Sequence, residues 1–266
     1  MPHVAKVVNT VLEARLQIEI AKYSHIGNRE ENQDRAEILI GDHSILAMVL
    51  DGMGGHSAGA EAAVTAIATV SDKFRNSKQP LPFAERFLTR SLANAHDALV
   101  TLGHSQDLDA KPRATCAICL VQKGIAYWSH LGDSRVYHLR DGVVLERTRD
   151  HTHIELLLRE GLIVESEIAR HPMRSFVEHC LGGDPTKPPV TASGPHKLQE
   201  NDVLLLCSDG FWGGMSDEAI ADAFADTEES FDVEEIVEKV VDAAVASNSP
   251  SSDNTTVAVI VWRGSD

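Results

Sequence analysis

The chain has 266 residues, of which 43% are hydrophobic and 24% are charged, and its formal net charge is −16. This composition is typical of a globular protein, and because no apolar run approaches the roughly 20 residues of a membrane helix, we expect no association with a membrane. The acidic balance argues against nucleic acid as a partner, since affinity for a phosphate backbone depends on clustered Lys and Arg.

The chain shows no internal boundary. No Pro-rich, Gly/Ser-rich or single-sign charged stretch divides it, so we expect one domain over residues 1–266, with residues 1–14 as an N-terminal extension. The N-terminal stretch mixes charged with apolar residues and lacks the continuous core of an export signal, which predicts a cytoplasmic protein.

Strands and then helices are predicted in the first half. "RLQIEIAK" alternates from Arg15, and Asp34 to Ile40 leads through "GDHS" into "ILAMVL" as a hairpin. A helix is expected from Ser57, and a second over Phe83 to Leu99 is followed by a loop. The apolar face of the first helix is predicted to be Ala60, Ala63, Val64, Ile67, Val70 and Phe74.

The middle of the chain is rich in strand-like segments. Lys123-Gly124 and Asp141-Gly142 are tight-turn signals between them. Cys116 and Cys119 form a C-x-x-C inside one such segment. Because residues three apart on a strand point to opposite faces, the spacing favours core packing over a redox or zinc site.

Two further helices are predicted from their N-terminal caps. Thr152 with Glu155 forms a capping box, and Asp232 with Glu235 opens a longer helix. "DVLLLCS" and "TTVAVIVW" are buried strands. Hairpins without regular strand-helix alternation predict an α+β fold with antiparallel sheets and helices packed outside.

Acidic residues recur where predicted strands begin or end. The five are Asp34, Asp51, Asp133, Asp209 and Asp253. A single acid there is an ordinary turn former, but five together favour a site for hard divalent cations, which prefer oxygen ligands. Two such ions can activate a water and hold the oxygens of a phosphoryl group, so the pattern favours hydrolysis of phosphate esters.

The stretch "VLDGMGGH" also resembles a nucleotide-binding turn. A G-x-G-x-x-G fingerprint starting at Gly52 would need a glycine at Ser57, and Asp51 would place a carboxylate where a pyrophosphate should lie. A phosphate-binding loop fails because Ala60, and not Lys, follows Gly59. The stretch therefore favours a metal site.

Five motifs occur in the order found in one known family. They are "REENQD", "DGMGGH", "GDSR", "SDGFW" and "DNTT", and the match runs from about Ile20 to Trp262. Together they resemble the metal-dependent serine/threonine phosphatases of protein phosphatase type 2C, in its bacterial form. The resemblance implies a central antiparallel β-sandwich flanked on both sides by α-helices, in four layers α-β-β-α, with a Mn²⁺ or Mg²⁺ centre at one end.

The resemblance also implies the core metal ligands. Asp51 corresponds to the carboxylate that bridges two core ions, with the Gly52 carbonyl as a further ligand. Asp209 and Asp253 correspond to the remaining core ligands.

Three other residues receive roles by the same resemblance. Asp34 corresponds to an acid that supports the centre through metal-bound water, and Asp133 to one that helps bind a third, weaker ion. Arg29 corresponds to the arginine that holds the substrate phosphate, for which a guanidinium fork is suited. Arg29 and Asp51 are thus the predicted catalytic residues.

Two positions depart from the family pattern. Gln33 stands where many relatives have Glu, and Met53 stands where the eukaryotic branch has a histidine proposed as general acid. His56 is another donor, although a structural histidine in a glycine turn fits equally well. Metal-bound water is the preferred hypothesis for the leaving-group proton.

The predicted activity is hydrolysis of phosphoserine and phosphothreonine in proteins. We expect a metal-bound water or hydroxide to attack in line without a phosphoenzyme, in a monomer that serves a bacterial kinase signalling pathway. The alternative is a catalytically silent regulatory binding module, which the retention of Asp51, Asp209 and Asp253 disfavours. Asp150 to Phe176 corresponds to the family's variable flap, which either shapes substrate choice or is a surface excursion.

Overall fold

The computed structural model describes residues 17–54, 58–107, 110–164, 167, 171–173, 176–225 and 232–264. The strands within these ranges are β1 (Gln17–His25), β2 (Asp34–Ile40), β3 (Ile45–Met53), β4 (Arg113–Ala114), β5 (Cys116–Gln122), β6 (Ile125–Leu131), β7 (Arg135–Arg140), β8 (Val143–Arg147), β9 (Leu181–Gly182), β10 (Ala192–Lys197), β11 (Asp202–Cys207) and β12 (Thr255–Gly264). The helices are α1 (Ala58–Arg75), α2 (Ala84–Leu102), α3 (His153–Arg159), α4 (Asp209–Trp212), α5 (Asp217–Ala223) and α6 (Val233–Ser247).

Two antiparallel sheets form the centre of the fold. One has the strand order β1-β12-β11-β7-β8, and the other has the order β10-β6-β5-β3-β4-β9, with β2 paired to β3 off this path. Their facing surfaces share an apolar layer that includes Val49, Ala117, Leu206 and Ile260. Side chains alternate between the two faces of each strand, and those on the inner faces pack between the two sheets.

Helices cover the outer face of each sheet. Phe74 of α1 and Leu92 of α2 pack with Leu46 and Leu120 on one outer face. Val237 and Val241 of α6 pack on the other, in a third apolar cluster. The predicted four-layer α-β-β-α sandwich is therefore confirmed. Within the described part of the chain, none of the helices combines the length and apolar character that a membrane crossing requires.

The predicted turns and caps are present. Lys123 and Gly124 have φ of 53° and 67°, and Asp141 and Gly142 have φ of 50° and 71°, which are the positive values that a two-residue hairpin turn of this type requires. The Thr152 side chain accepts a hydrogen bond from the Glu155 amide at 3.3 Å. The Asp232 side chain caps α6 through the amides of residues 234 and 235.

The cysteine prediction is also confirmed. Cys116 packs in the cluster beneath α1 and α2, whereas Cys119 packs between the sheets. Both thiols are free and buried. The C-x-x-C therefore contributes to two different apolar layers and forms no joint site.

Some local predictions were wrong. Val64 is 49% exposed, because the buried stripe of α1 runs through Ala62, Ala63 and Ala66 instead. The second helix continues to Leu102, three residues beyond its predicted end. The predicted extension 1–14 and His56 lie outside the described residues.

Candidate metal centre

A cleft of about 650 Å³ lies where several of these strands and their connecting loops meet. It is lined by Asn28, Arg29, Glu30, Glu31, Gln33, Asp51, Gly52, Met53, Gly54, Asp133, Val177, Asp209, Asp253 and Asn254. Six of the seven residues predicted for the site from the sequence are in this lining. The seventh, Asp34, lies immediately behind it.

Asp34 and Asp51 are brought together by strand pairing. They face each other as partners in the antiparallel pair of β2 and β3, where Asp34 is the first residue of its strand. Asp34 is 2% exposed, and its Oδ2 accepts a hydrogen bond from the Ser208 hydroxyl at 2.7 Å. The Asp51 carbonyl accepts from the Thr115 amide at 2.9 Å. The two acids are therefore held by backbone geometry as well as by side-chain contacts.

Asp209 and Asp253 reach the cleft from the ends of neighbouring strands. Asp209 is the first residue of α4 and lies two residues after the end of β11. Asp253 lies two residues before β12, which pairs with β11. Nη2 of Arg29 donates to Oδ2 of Asp253 at 2.6 Å at the cleft rim. The predicted phosphate-binding residue therefore contacts a predicted metal ligand in this structure.

Asp133 lies in the short loop between β6 and β7. The preceding residue, Gly132, has φ of 87°, and a side chain there would meet Thr115. The Ser134 hydroxyl lies 2.6 Å from the Thr115 hydroxyl. Nε1 of Trp212 donates to the Asp133 carbonyl at 2.8 Å. These contacts attach the Asp133 loop to the segments that carry Asp51 and Asp209.

Asn254 organises the rim of the cleft, although its role was not predicted. Its side-chain amide donates to the carbonyls of Ile26 and Glu31 at 2.8 and 3.0 Å, and its Oδ1 accepts from the Gln33 amide at 2.8 Å. One side chain thereby fixes the loop that carries Arg29. The only sequence signal for it is its place beside Asp253 in "DNTT".

The glycine after Asp51 permits a close approach of the first helix. A Cβ built on Gly52 would lie 2.0 Å from the carbonyl oxygen of Gly59, in the first turn of α1. Only glycine leaves room for the helix to pack this closely on the strand. The glycine turn therefore contacts the first turn of the helix that follows it.

The clustered acids raise one another's pKa. Burial, together with the negative charges of Asp34 and Asp209, raises the pKa of Asp51 well above its usual range. Burial and the charge of Asp133 do the same to the pKa of Asp209. Burial raises the pKa of Asp34 to about 6, against the hydrogen bond from Ser208. Burial and Asp150 raise the pKa of Asp133 to about 6.

This electrostatic arrangement fits divalent cations. A bound cation would relieve the repulsion among the carboxylates, and Oδ1 of Asp34 is buried without a hydrogen-bond partner. Among the described residues, no group of three His, Cys, Asp or Glu side chains could hold an ion by itself. Mg²⁺ commonly binds few carboxylates and completes its shell with carbonyl and water oxygens, which the acids and the Gly52 carbonyl in this cleft could supply.

Comparison with known proteins gives the relatives of this chain. Residues 22–246 match the sequence profile of the family described as Protein phosphatase 2C. The chain is 31% identical over 215 residues to the serine/threonine protein phosphatase PstP of Mycobacterium tuberculosis, an alignment that covers 80% of this chain and 40% of that protein. The chain thus spans about two fifths of the length of that relative.

Solved structures show the same fold. The serine/threonine phosphatase of S. agalactiae is 26% identical, with a TM-score of 0.82 over 92% of this chain and 99% of that one. The catalytic domain of PstP, solved in complex with two manganese ions, is 28% identical, with a TM-score of 0.75 over 93% of this chain and 99% of that one. Since the family profile covers most of the sequence and the sandwich is shared, the chain belongs to the protein phosphatase 2C family.

Proposed function

We propose that the chain hydrolyses phosphoserine and phosphothreonine in proteins with the help of Mn²⁺ or Mg²⁺. The observation that carries this proposal is that four carboxylates from four separate segments, Asp51, Asp133, Asp209 and Asp253, line one cleft that also contains Arg29. Asp34 lies directly behind the cleft, as the strand partner of Asp51. Two manganese ions are present in the structure of the PstP catalytic domain, a relative of this chain.

The residues proposed to hold the cations are those already placed in the cleft. Asp51, the Gly52 carbonyl, Asp209 and Asp253 would serve two core ions, with Asp34 supporting them and Asp133 serving a third. Bound cations would supply a water that is nucleophilic at neutral pH and would offset the charge of the phosphate.

Arg29 is proposed to orient the substrate phosphate. Its side chain is 59% exposed at the rim, and its planar guanidinium can bind two phosphate oxygens at once. Met53 lines the cleft but carries no proton to donate. We therefore expect the proton for the departing serine or threonine oxygen to come from water in the cleft.

Phosphate release from a phosphothreonine peptide tests the proposal. Activity should require Mn²⁺ or Mg²⁺, stop with chelator, and fall roughly a hundredfold or more in Asp209→Asn, because metal ions contribute several kcal/mol to such reactions. Asp72→Asn, which alters an exposed acid of α1, is the matched control and should retain activity. Activity that survives both chelator and Asp209→Asn would contradict the proposal.

Two further measurements define the reaction. A phosphotyrosine peptide should be hydrolysed more slowly than the phosphothreonine peptide, and rapid quenching should trap no phosphorylated enzyme. Binding of Mn²⁺ and phosphopeptide without turnover would instead indicate a regulatory binding module.

We also infer the cellular setting. The substrates would be products of a cognate serine/threonine kinase, and the chain would act as a cytoplasmic monomer. Light scattering and cell fractionation test the monomer and its location, and loss of the chain should increase phosphorylation of the kinase's targets.

A further inference from the structure

We propose that Arg135 is a positioning residue that joins the base of the flap to the loops carrying Asp133 and Asp209, and so fixes how these two acids face the cleft. The flap here is the segment Asp150 to Phe176. This inference rests on the proposed metal-dependent function, because its main measurement is cation binding.

Arg135 forms a two-point ion pair at the start of the flap. It is the first residue of β7, and its Nε and Nη2 donate to the two carboxylate oxygens of Asp150 at 2.8 and 2.7 Å. The side chains are 11% and 10% exposed. A buried, bidentate pair has one well-defined geometry, and removal of either partner leaves the other charge uncompensated.

The same guanidinium stacks on a side chain that holds the Asp133 backbone. Cζ of Arg135 lies 3.6 Å from the ring centroid of Trp212, whose Nε1 donates to the Asp133 carbonyl. Trp212 ends α4, the helical turn that begins at Asp209. Displacement of Arg135 would therefore release the indole that connects the loops of both acids.

The base of the flap is attached to the same loop. The His151 amide donates to the Gly132 carbonyl at 2.8 Å, and the Glu178 amide donates to the His151 carbonyl at 2.8 Å. Thr152 forms an isolated bridge with Val177, which lines the cleft. Asp150 and its neighbours thus connect the cleft wall to the Asp133 loop, with Arg135 at their junction.

A purely electrostatic role for the pair predicts a different outcome. Neutralising Asp150 would remove a negative charge near Asp133 and weaken cation binding, whereas neutralising Arg135 would remove a positive charge and strengthen it. A positioning role predicts that both changes weaken binding, because either one disrupts the same geometry. The sign for Arg135 therefore separates the two explanations.

The experiment compares Arg135→Gln, Asp150→Asn and Trp212→Phe by Mn²⁺ titration calorimetry. The last variant keeps an aromatic ring at this position, removes the Nε1 donor to Asp133 and changes no charge. We expect all three to weaken Mn²⁺ binding by roughly tenfold or more, as groups that orient metal ligands commonly do. In Arg135→Gln, hydrogen exchange at the amides of His151 and Glu178 should also accelerate.

Arg140→Gln is the matched control. Arg140 lies at the other end of β7, where its Nε and Nη2 make a two-point pair with Asp202. This substitution removes an equivalent ion pair from the same strand, so it should lower stability without changing Mn²⁺ affinity. A loss of affinity in this control equal to that in Arg135→Gln would show general destabilisation and overturn the inference.

Two other results would overturn it. The first is a Mn²⁺ affinity in Trp212→Phe and Arg135→Gln equal to that of the wild type. The second is tighter Mn²⁺ binding in Arg135→Gln together with weaker binding in Asp150→Asn. Wild-type protein that binds no Mn²⁺ would overturn the proposed function and, with it, this inference. Wild-type binding with unchanged variants would overturn the inference alone.

Discussion

Gly52 leaves no space for a side chain between β3 and α1. Its built Cβ would lie 2.0 Å from the Gly59 carbonyl oxygen and 3.0 Å from that of Gln33, and both are main-chain atoms that cannot rotate away. We expect Gly52→Ala to reduce the free energy of unfolding by about 3 kcal/mol, because an overfilled site forces the backbone to shift.

Gly161→Ala is the control for this substitution. Gly161 has φ of 68° and open space around it, so its replacement should cost only about 1 kcal/mol of left-handed backbone strain. Urea unfolding of both variants measures the difference. A loss in Gly52→Ala no larger than that in Gly161→Ala would contradict the steric explanation, because Gly52 lacks the positive φ of Gly161.

The sequence revealed the acids of the site more readily than the residues that hold them. Asp51 and Asp209 are conspicuous because an apolar run precedes each and a glycine follows. Trp212 and Asn254 act by hydrogen bonding to the main chain of distant segments, and such a contact produces no local pattern. Trp212 and Asn254 meet their main-chain partners only in the folded protein, where distant segments lie side by side.

At the level of elements, β7 and β11 are joined by a buried ionic contact. Asp202 is fully buried and accepts hydrogen bonds from Arg140 and from Nε2 of His138. Burial opposes its ionisation, but the hydrogen bonds from Arg140 and His138 outweigh that effect and lower the pKa of Asp202 to about 2. The ionised carboxylate therefore stabilises the folded state.

This contact predicts a pH-dependent loss of stability. Because the folded pKa lies below the ordinary value of 3.8, the stabilisation is present above about pH 4 and is lost as the pH falls toward 2. We expect Asp202→Asn to cost about 2 kcal/mol at pH 7 and progressively less below pH 4. Urea unfolding at several pH values measures this; a constant difference between the two proteins would contradict it.

Element prediction succeeded where periodicity or capping was strong. The long strands and α6 have regular apolar spacing and a recognisable cap. By contrast, β4 and β9 have two residues each, which is too short for any period. β10 reads "ASGPHK" and is interrupted by an irregularity between Ser193 and His196, so no alternation marks it as a strand.

At the scale of the whole molecule, cation binding should be coupled to stability. The chain has a net charge of −16, and several of its acids are concentrated in one cleft where they repel one another. A ligand that binds only the folded state adds about 2.7 kcal/mol at a hundredfold excess over its dissociation constant. For a chain of this size, that gain corresponds to a rise in Tm of about 5 to 10 °C.

Thermal unfolding with Mn²⁺, with chelator and with NaCl at matched ionic strength measures this coupling. The Tm should rise with Mn²⁺, return to its original value with chelator, and rise much less in Asp209→Asn. NaCl screens charge without occupying the site, so it should reproduce little of the rise. An equal rise with NaCl would show that general screening, and not the cleft, is responsible.

The pairing of Asp34 with Asp51 also limits which insertions and deletions the β2–β3 hairpin tolerates. The four residues 41–44 join β2 to β3, and the Gly41 amide closes their turn on the Ser44 carbonyl. Because successive residues of a strand face opposite sides, inserting or deleting one residue there would turn Asp34 away from its partner. Natural length variation should therefore accumulate in other loops, and this hairpin should keep its length across functional descendants of the sequence.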